Sequence, residues 1–159
     1  MQGFDDFVHH HERRLVRLCW LLTLDHGDAA DVVQETFLRW WNAREELQHH
    51  PDLDAWLRRV AVNLCRDRQR RRLVRRRKNH LVLADDTTND VSPEFDLHRA
   101  IAQLPQRQRE AIVLRYWGDL DLEGCAAAMG VGVGSVKTHL TRAHTALGAS
   151  SHLSREETS

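Results

Sequence analysis

Residues 120–148 read LDLEGCAAAMGVGVGSVKTHLTRAHTALG. The run LEGCAAAM predicts a short helix, the glycines of GVGVG a turn, and the remainder a second helix. Helix, Gly-containing turn, helix is the pattern of a helix-turn-helix. On a wheel of about 100° per residue, Val133, Leu140, Ala143 and Leu147 fall within about 60° of Val136. That stripe is the expected core face. Ser135, Thr138, Thr141, Arg142 and Thr145 fall on the opposite half, with Lys137 on a flank. Small hydroxyl side chains let a helix lie deep in the major groove, and Lys and Arg reach phosphates or guanine edges.

Upstream, RAIAQLPQRQREAIVLRYWG predicts short helices around Pro105. Residues 79–98, NHLVLADDTTNDVSPEFDLH, are polar and acidic and read as a linker. A structureless connection this long is uncommon inside one compact domain, so two domains are expected. Charge follows the same division. Residues 1–84 carry 16 basic and 12 acidic side chains, a net of +4. Residues 85–98 carry five acids and no Lys or Arg, and residues 99–149 carry six basic and four acidic side chains. Local patches of this kind, not the zero overall charge, matter to a nucleic acid.

The first half shows no alternating strand pattern. Apolar spacing predicts a helix from Phe4 to Leu24, broken by DHGD. Asp28 is expected to cap a second helix through AADVVQETFLRWWNA, with Asp31 in its first turn. A third starts near Asp54 and runs through AWLRRVAVNLCRDRQRRR. With Trp56 at zero on its wheel, Val60, Leu64, Leu57, Ala61 and Cys65 cover an apolar half-turn. Arg59, Val62, Asn63, Arg66 and Arg70 lie on or near the other side, a basic stripe with one Asn. Arg contacts phosphates, and Asn offers both donor and acceptor to a base edge. The helix ends in RDRQRRRLVRRRK, nine basic residues and one acid between Arg66 and Lys78. Its first part continues the stripe, and from about Arg71 the charges surround the helix.

Other classes find little support. No apolar run approaches the roughly 18–20 residues of a membrane helix. The beginning, MQGFDDFVHHHERR, has no signal-peptide character, so a cytoplasmic protein without a membrane partner is expected. There is no phosphate-binding Gly loop, no HExxH and no nucleophile motif, so neither an enzyme nor a cofactor is expected. His9, His10 and His11 are consecutive on a helix and cannot converge on one metal. Cys19, Cys65 and Cys125 form no CxxC or zinc spacing and read as reduced, buried thiols.

The stretch LPQRQREAIVLRYWGDLDLEGCAAAMGVGVGSVKTHLTRA resembles region 4 of bacterial sigma factors, in the small extracytoplasmic function group of the sigma-70 family. GDAADVVQETFLRWWNA resembles region 2.2 of that family, and AWLRRVAVNLCRDRQRRR its regions 2.3 and 2.4. Together these matches span about residues 4–78 and 97–147. The resemblance implies an all-α fold of two small helical domains joined by a flexible acidic linker. Region 2 would occupy residues 1–78, the linker 79–98 and the region 4 helix-turn-helix 99–149, before a disordered tail at 150–159.

The resemblance also implies partners and roles. Core RNA polymerase would be bound through the clamp helices of its largest subunit, by Asp31, Gln34, Glu35 and Leu38, and through its flap. Promoter DNA at the −10 element would meet Arg59, Val62, Asn63, Arg66 and Arg70, with a flipped base held at the loop 48–54. At the −35 element it would meet Arg115, Ser135, Lys137, Thr138, Thr141 and Arg142. The free protein would be a monomer. An anti-sigma factor is a further candidate partner, encoded elsewhere. The linker acids Asp85, Asp86 and Asp90 would thread the polymerase channel. Two departures stand out. Gly124 and Cys125 replace the family's usual Glu-Ile pair, and Gly132 stands where Ser or Thr commonly caps the recognition helix. A two-domain helix-turn-helix regulator acting without polymerase is the rival reading, and such a protein has no need of the DVVQETF helix.

Overall fold

The computed structural model describes residues 2–79 and 93–148, and side chains within 3–75 and 96–148. The expected tail and the linker acids Asp85, Asp86 and Asp90 lie outside these residues. Seven helices and no strand are present among the described residues. Helix α1 is Gln2–Thr23, α2 His26–Ala43 and α3 Leu53–Asn79. The second module holds α4 Pro93–Ala102, α5 Gln106–Tyr116, α6 Leu122–Met129 and α7 Val133–Gly148.

The break between α1 and α2 is shorter than DHGD suggests. Only Leu24 and Asp25 are non-helical, and Leu24 absorbs the turn at φ 56°. The cap of α2 is therefore Asp25, not Asp28. Asp25 Oδ1 accepts the Asp28 backbone N–H at 2.8 Å, leaving Asp28 in the first turn. A carboxylate placed there satisfies a donor that the helix leaves unpaired. That N–H, and next Arg72, hold the Asp25 carboxyl below its ordinary value against the opposing effect of burial.

Helix α4 begins at Pro93, inside the stretch read as linker. Proline suits the first helical position because its missing N–H has no intrahelical acceptor there. The acidic composition of 79–98 concealed this start. Helix α6 has Asp121 as its N-cap, its carboxylate accepting the Gly124 N–H at 2.6 Å. It ends at Gly130 in the left-handed conformation, φ 67°, whose N–H returns to the Ala126 and Ala127 carbonyls. Glycine reaches that conformation without a Cβ clash.

In the first module the core is Leu15, Leu18, Leu22, Val32, Val33, Phe37, Leu57 and Ala61, all buried. Phe7 stacks on Trp40 with ring centroids 3.8 Å apart. Cys19 and Cys65 are free, buried thiols between α1 and α3. Their mutual hydrogen bond, and then burial, push the Cys65 thiol well above its ordinary value, so it stays protonated. In the second module Ile112, Leu114, Met129, Val136 and Leu147 are buried. Glu110 is buried among them, bonded by Gln106 and by Arg107, which also donates to the Met129 carbonyl at 3.0 Å. That network ties α5 to the end of α6.

The modules pack against each other. Helix α1 meets α4 and α5, and α3 meets α6. Trp20 and His98 place their rings 5.2 Å apart across the boundary. The Leu22 carbonyl, at the end of α1, accepts from Gln69 of its own module and, at 3.4 Å, from Arg109 Nη2 of the other. Cationic and amide donors are favourable at a helix C-terminus, where carbonyls lack partners.

Candidate nucleic-acid and polymerase interface

Helix α7 presents its two faces as its spacing predicts. Val136, Ala143 and Leu147 are buried, and Val133 and Leu140 are half-buried. Ser135, Lys137, Thr138, Thr141 and Arg142 are exposed. The threonines carry a detail that spacing does not reveal. Thr138, Thr141 and Thr145 each donate their hydroxyl to the carbonyl four residues back, at 3.1, 2.9 and 2.9 Å. Their hydrogens are thus occupied within the helix, and each keeps an acceptor lone pair and a methyl group for an outside contact. Arg115, in the last turn of α5, is exposed and donates to the Leu120 carbonyl at 3.3 Å.

On α3 the stripe divides. Arg59, Asn63 and Arg70 are exposed together. Val62 is not on that face: it is 2 % exposed and belongs to the core. It sits on the side of the helix between Gln69, which reaches α1, and Arg66, which reaches α6. A valine there is covered where the modules meet. Arg66 is half-buried, its Nη2 lying 3.3 Å from where a Cβ on Gly130 would project. The exposed Asp67 lies between Asn63 and Arg71 on the wheel, an acid within the basic face.

The other basic residues of α3 hold the fold. Arg68 bonds Asp28 at 3.1 Å and Asp31 at 3.2 Å, while Arg72 pairs with Asp25 and, at 3.0 Å, with Asp28. These links join α3 to the start of α2. On the wheel Arg68 and Arg72 lie within about 60° of Cys65, the centre of the side that packing buries.

On α2, Asp31, Gln34, Glu35 and Leu38 are exposed along one face, opposite the buried Val32, Val33, Thr36 and Phe37. Leu38 is 49 % exposed, a large apolar side chain open to solvent. Glu35 pairs with Arg39 at 3.2 Å, and Asp31 shares Arg68 with Asp28. The loop before α3 is stabilised by Asp52, whose carboxylate accepts the Ala55 N–H at 3.1 Å. His9 and His10 are exposed, and His11 bonds Asp54 at 3.0 Å. Among the described residues no group of three or more His, Cys, Asp or Glu could hold a metal ion. No helix among them is long and apolar enough to cross a membrane.

A helix-turn-helix module packed on a three-helix bundle with a basic outer stripe defines a DNA-binding class of protein. Comparison narrows that class. Residues 7–77 match the family profile described as Sigma-70 region 2, and residues 94–147 that described as Sigma-70, region 4. The chain is similar to the ECF RNA polymerase sigma factor SigM of Mycobacterium tuberculosis, 31 % identical over 152 residues, covering 91 % of this chain and 75 % of that one. It is also similar to the RNA polymerase sigma factor SigV of Bacillus subtilis, 29 % identical over 140 residues, covering 84 % and 81 %. The fold resembles the sigma factor RpoE of Bartonella quintana, solved with the anti-sigma factor NepR. The TM-score is 0.68 at 24 % identity, over 92 % of this chain and 95 % of that one. The chain belongs to the sigma-70 family of RNA polymerase sigma factors, in its extracytoplasmic function group. It functions as an RNA polymerase sigma factor, and the stand-alone regulator is not favoured.

Proposed function

We propose that this sigma factor joins core RNA polymerase through the α2 face of Asp31, Gln34, Glu35 and Leu38, against the clamp helices of the largest subunit. The exposed Leu38 among polar residues supports that assignment, because a lone large apolar group gains most when a partner covers it. In the cytoplasm, and without chemistry of its own, the protein then directs polymerase to promoters. Residues 1–78 act at the −10 element and residues 99–149, together with the preceding part of α4, at the −35 element and the polymerase flap.

At the −35 element, α7 enters the major groove with Ser135, Thr138, Thr141 and Arg142 toward the bases, Lys137 and Arg115 toward phosphates. This face is the observation that carries the reading. With their hydroxyl hydrogens turned inward, Thr138 and Thr141 favour thymine, whose methyl group accepts apolar contact. At the −10 element Arg59, Asn63 and Arg70 hold the separated strand, and the loop 48–54 receives a flipped base beside Asn63. Arg66 joins them once the modules separate.

Opening four base-pair steps costs roughly 6 kcal/mol at about 1.4 kcal/mol per step. Stacking on a captured base returns about 1–3 kcal/mol. The chain alone leaves a deficit that polymerase contacts offset. The acids Asp85, Asp86 and Asp90 aid placement of the linker in the basic polymerase channel, and an anti-sigma factor is a fitting antagonist, as for the neighbour solved with one. Transcription in vitro with core polymerase, followed by genome-wide mapping of start sites, tests the reading. Promoters sharing one −10 and −35 pair, lost with Asn63→Ala and Arg142→Ala, are expected. Absence of any sigma-dependent start site refutes it.

A further inference from the structure

The boundary between the modules contains an open cleft of about 510 Å³. Helix α1 contributes Arg13, Arg14 and Arg17 to its wall, and α3 contributes Arg58. Tyr116, Trp117 and Asp119 form the wall on the second module. None of these residues belongs to the −10, −35 or polymerase faces assigned above.

Two cations of the first wall, Arg14 and Arg58, share one carboxylate. Asp54 pairs with Arg58, lies 4.0 Å from Arg14 Nη1, and also meets His11. One carboxylate therefore serves two guanidiniums, and Arg13 has no ion pair among the described residues. Arg58 is 12 % exposed in its side chain, and its Nε is buried without a hydrogen-bond partner among the described residues. Arg13, Arg17 and Arg14 lie within about 100° of one side of α1, and all three line the cleft. Guanidinium forks match phosphate oxygens bidentately and bind them with planar geometry.

The second wall has a different chemistry. Tyr116 is 46 % exposed and Trp117 half-buried, so both aromatic side chains retain accessible surface. Aromatic faces stack on nucleobases of any kind. Asp119 supplies an acceptor for ribose hydroxyls or a base amino group, from a backbone held at φ 56°. The volume falls within the range of about 300–1,000 Å³ usual for small-ligand sites.

We propose that this cleft binds a nucleoside polyphosphate, its phosphates on the α1 and α3 arginines and its base against Tyr116 and Trp117. Because the walls come from different modules, the ligand binds only while they are packed together. Ligand at one hundred times its Kd shifts the closed-to-open balance about 100-fold toward closed. In that arrangement Arg66 stays against the Gly130 turn and is withheld from DNA. The site is thus a brake on engagement with the promoter, set by nucleotide concentration.

The test is calorimetric titration of the full chain, at about 150 mM salt, with ATP, GTP, tripolyphosphate and adenosine. The Arg13→Ala/Arg14→Ala double variant serves as comparison; both side chains are exposed, so its fold is expected to survive, and a melt checks this. Expected is one site per chain, with a nucleotide at least tenfold tighter than tripolyphosphate and adenosine alone undetectable. The double variant should bind at least tenfold more weakly. Equal binding by the double variant overturns the site, as does binding that tracks ionic strength without saturating. Tripolyphosphate equalling both nucleotides overturns the role of the aromatic wall. Displacement of ATP by a poly-glutamate peptide at lower concentration than by GTP assigns the cleft to an acidic protein instead.

Discussion

Asp25 and the glycines of the second module show how single residues set local stability. Asp25 caps α2 and pairs with Arg72, and its carboxyl is held below its ordinary value by the Asp28 N–H first. A depressed carboxylate contributes stability above its unfolded pKa and loses it as pH falls through the lower, folded value. Asp25→Ala should therefore lower unfolding free energy by about 1–2 kcal/mol at neutral pH. That difference should narrow below about pH 4, as chemical denaturation across pH would show. Gly132 and Gly124 look alike in sequence and behave differently in the fold. A Cβ on Gly132 meets nothing within 4 Å, so Gly132→Ser should raise stability by a few tenths of a kcal/mol through a better cap. A Cβ on Gly124 would sit 3.0 Å from Asp121 Oδ1, the atom that caps α6. Gly124→Ala should accordingly fail to gain the roughly 1 kcal/mol that alanine gives in a helix interior. Thermal melts of both variants check these outcomes.

At the scale of the element, α3 carries two sets of basic residues on two faces. Arg59, Asn63 and Arg70 point outward, whereas Arg68 and Arg72 bind the acids at the start of α2. Arg70→Glu should leave the melting curve nearly unchanged and impair promoter opening, measured with permanganate or a fluorescent base. Arg72→Glu should cost about 0.5–3 kcal/mol of stability by setting like charges against Asp25 and Asp28. The amphipathic pattern made helix identity legible for all three helices of the first module and for α7. The pattern could not divide the basic residues of α3. Its apolar half-turn placed the core near Trp56 and Leu64, but packing against α1 and the second module turned the buried side toward Cys65 and Val62. Val62, expected on the open face, is thus covered instead, because tertiary contacts beyond the helix decide what its flanks meet. The α2 cap was misplaced for a related reason: a non-glycine residue, Leu24, adopts the positive φ that permits a two-residue break.

For the whole molecule, the two modules were legible from charge and composition, and their packing was not. Contacts such as Arg109 to Leu22 and Trp20 to His98 join residues far apart in sequence with no local signature. Burial pushes Arg109 below its ordinary value, Glu110 only partly offsets this, and its Nε has no partner among the described residues. A buried charge with so little pairing stabilises the closed packing less than an apolar contact would. Replacing such a charge with an apolar group of similar size is often neutral or stabilising. Arg109→Met should therefore keep or raise the melting temperature while slowing transcription, because the modules separate less readily. The half-buried Arg66 and the buried Val62 leave part of the proposed −10 surface covered in the free chain. The measurement that tests this most directly is promoter affinity with and without core polymerase, titrated across salt. Weak binding by the free chain and tight, specific, steeply salt-dependent binding with polymerase are predicted, since each neutralised phosphate releases counterions. Tight and sequence-specific promoter binding by the free chain would contradict the account.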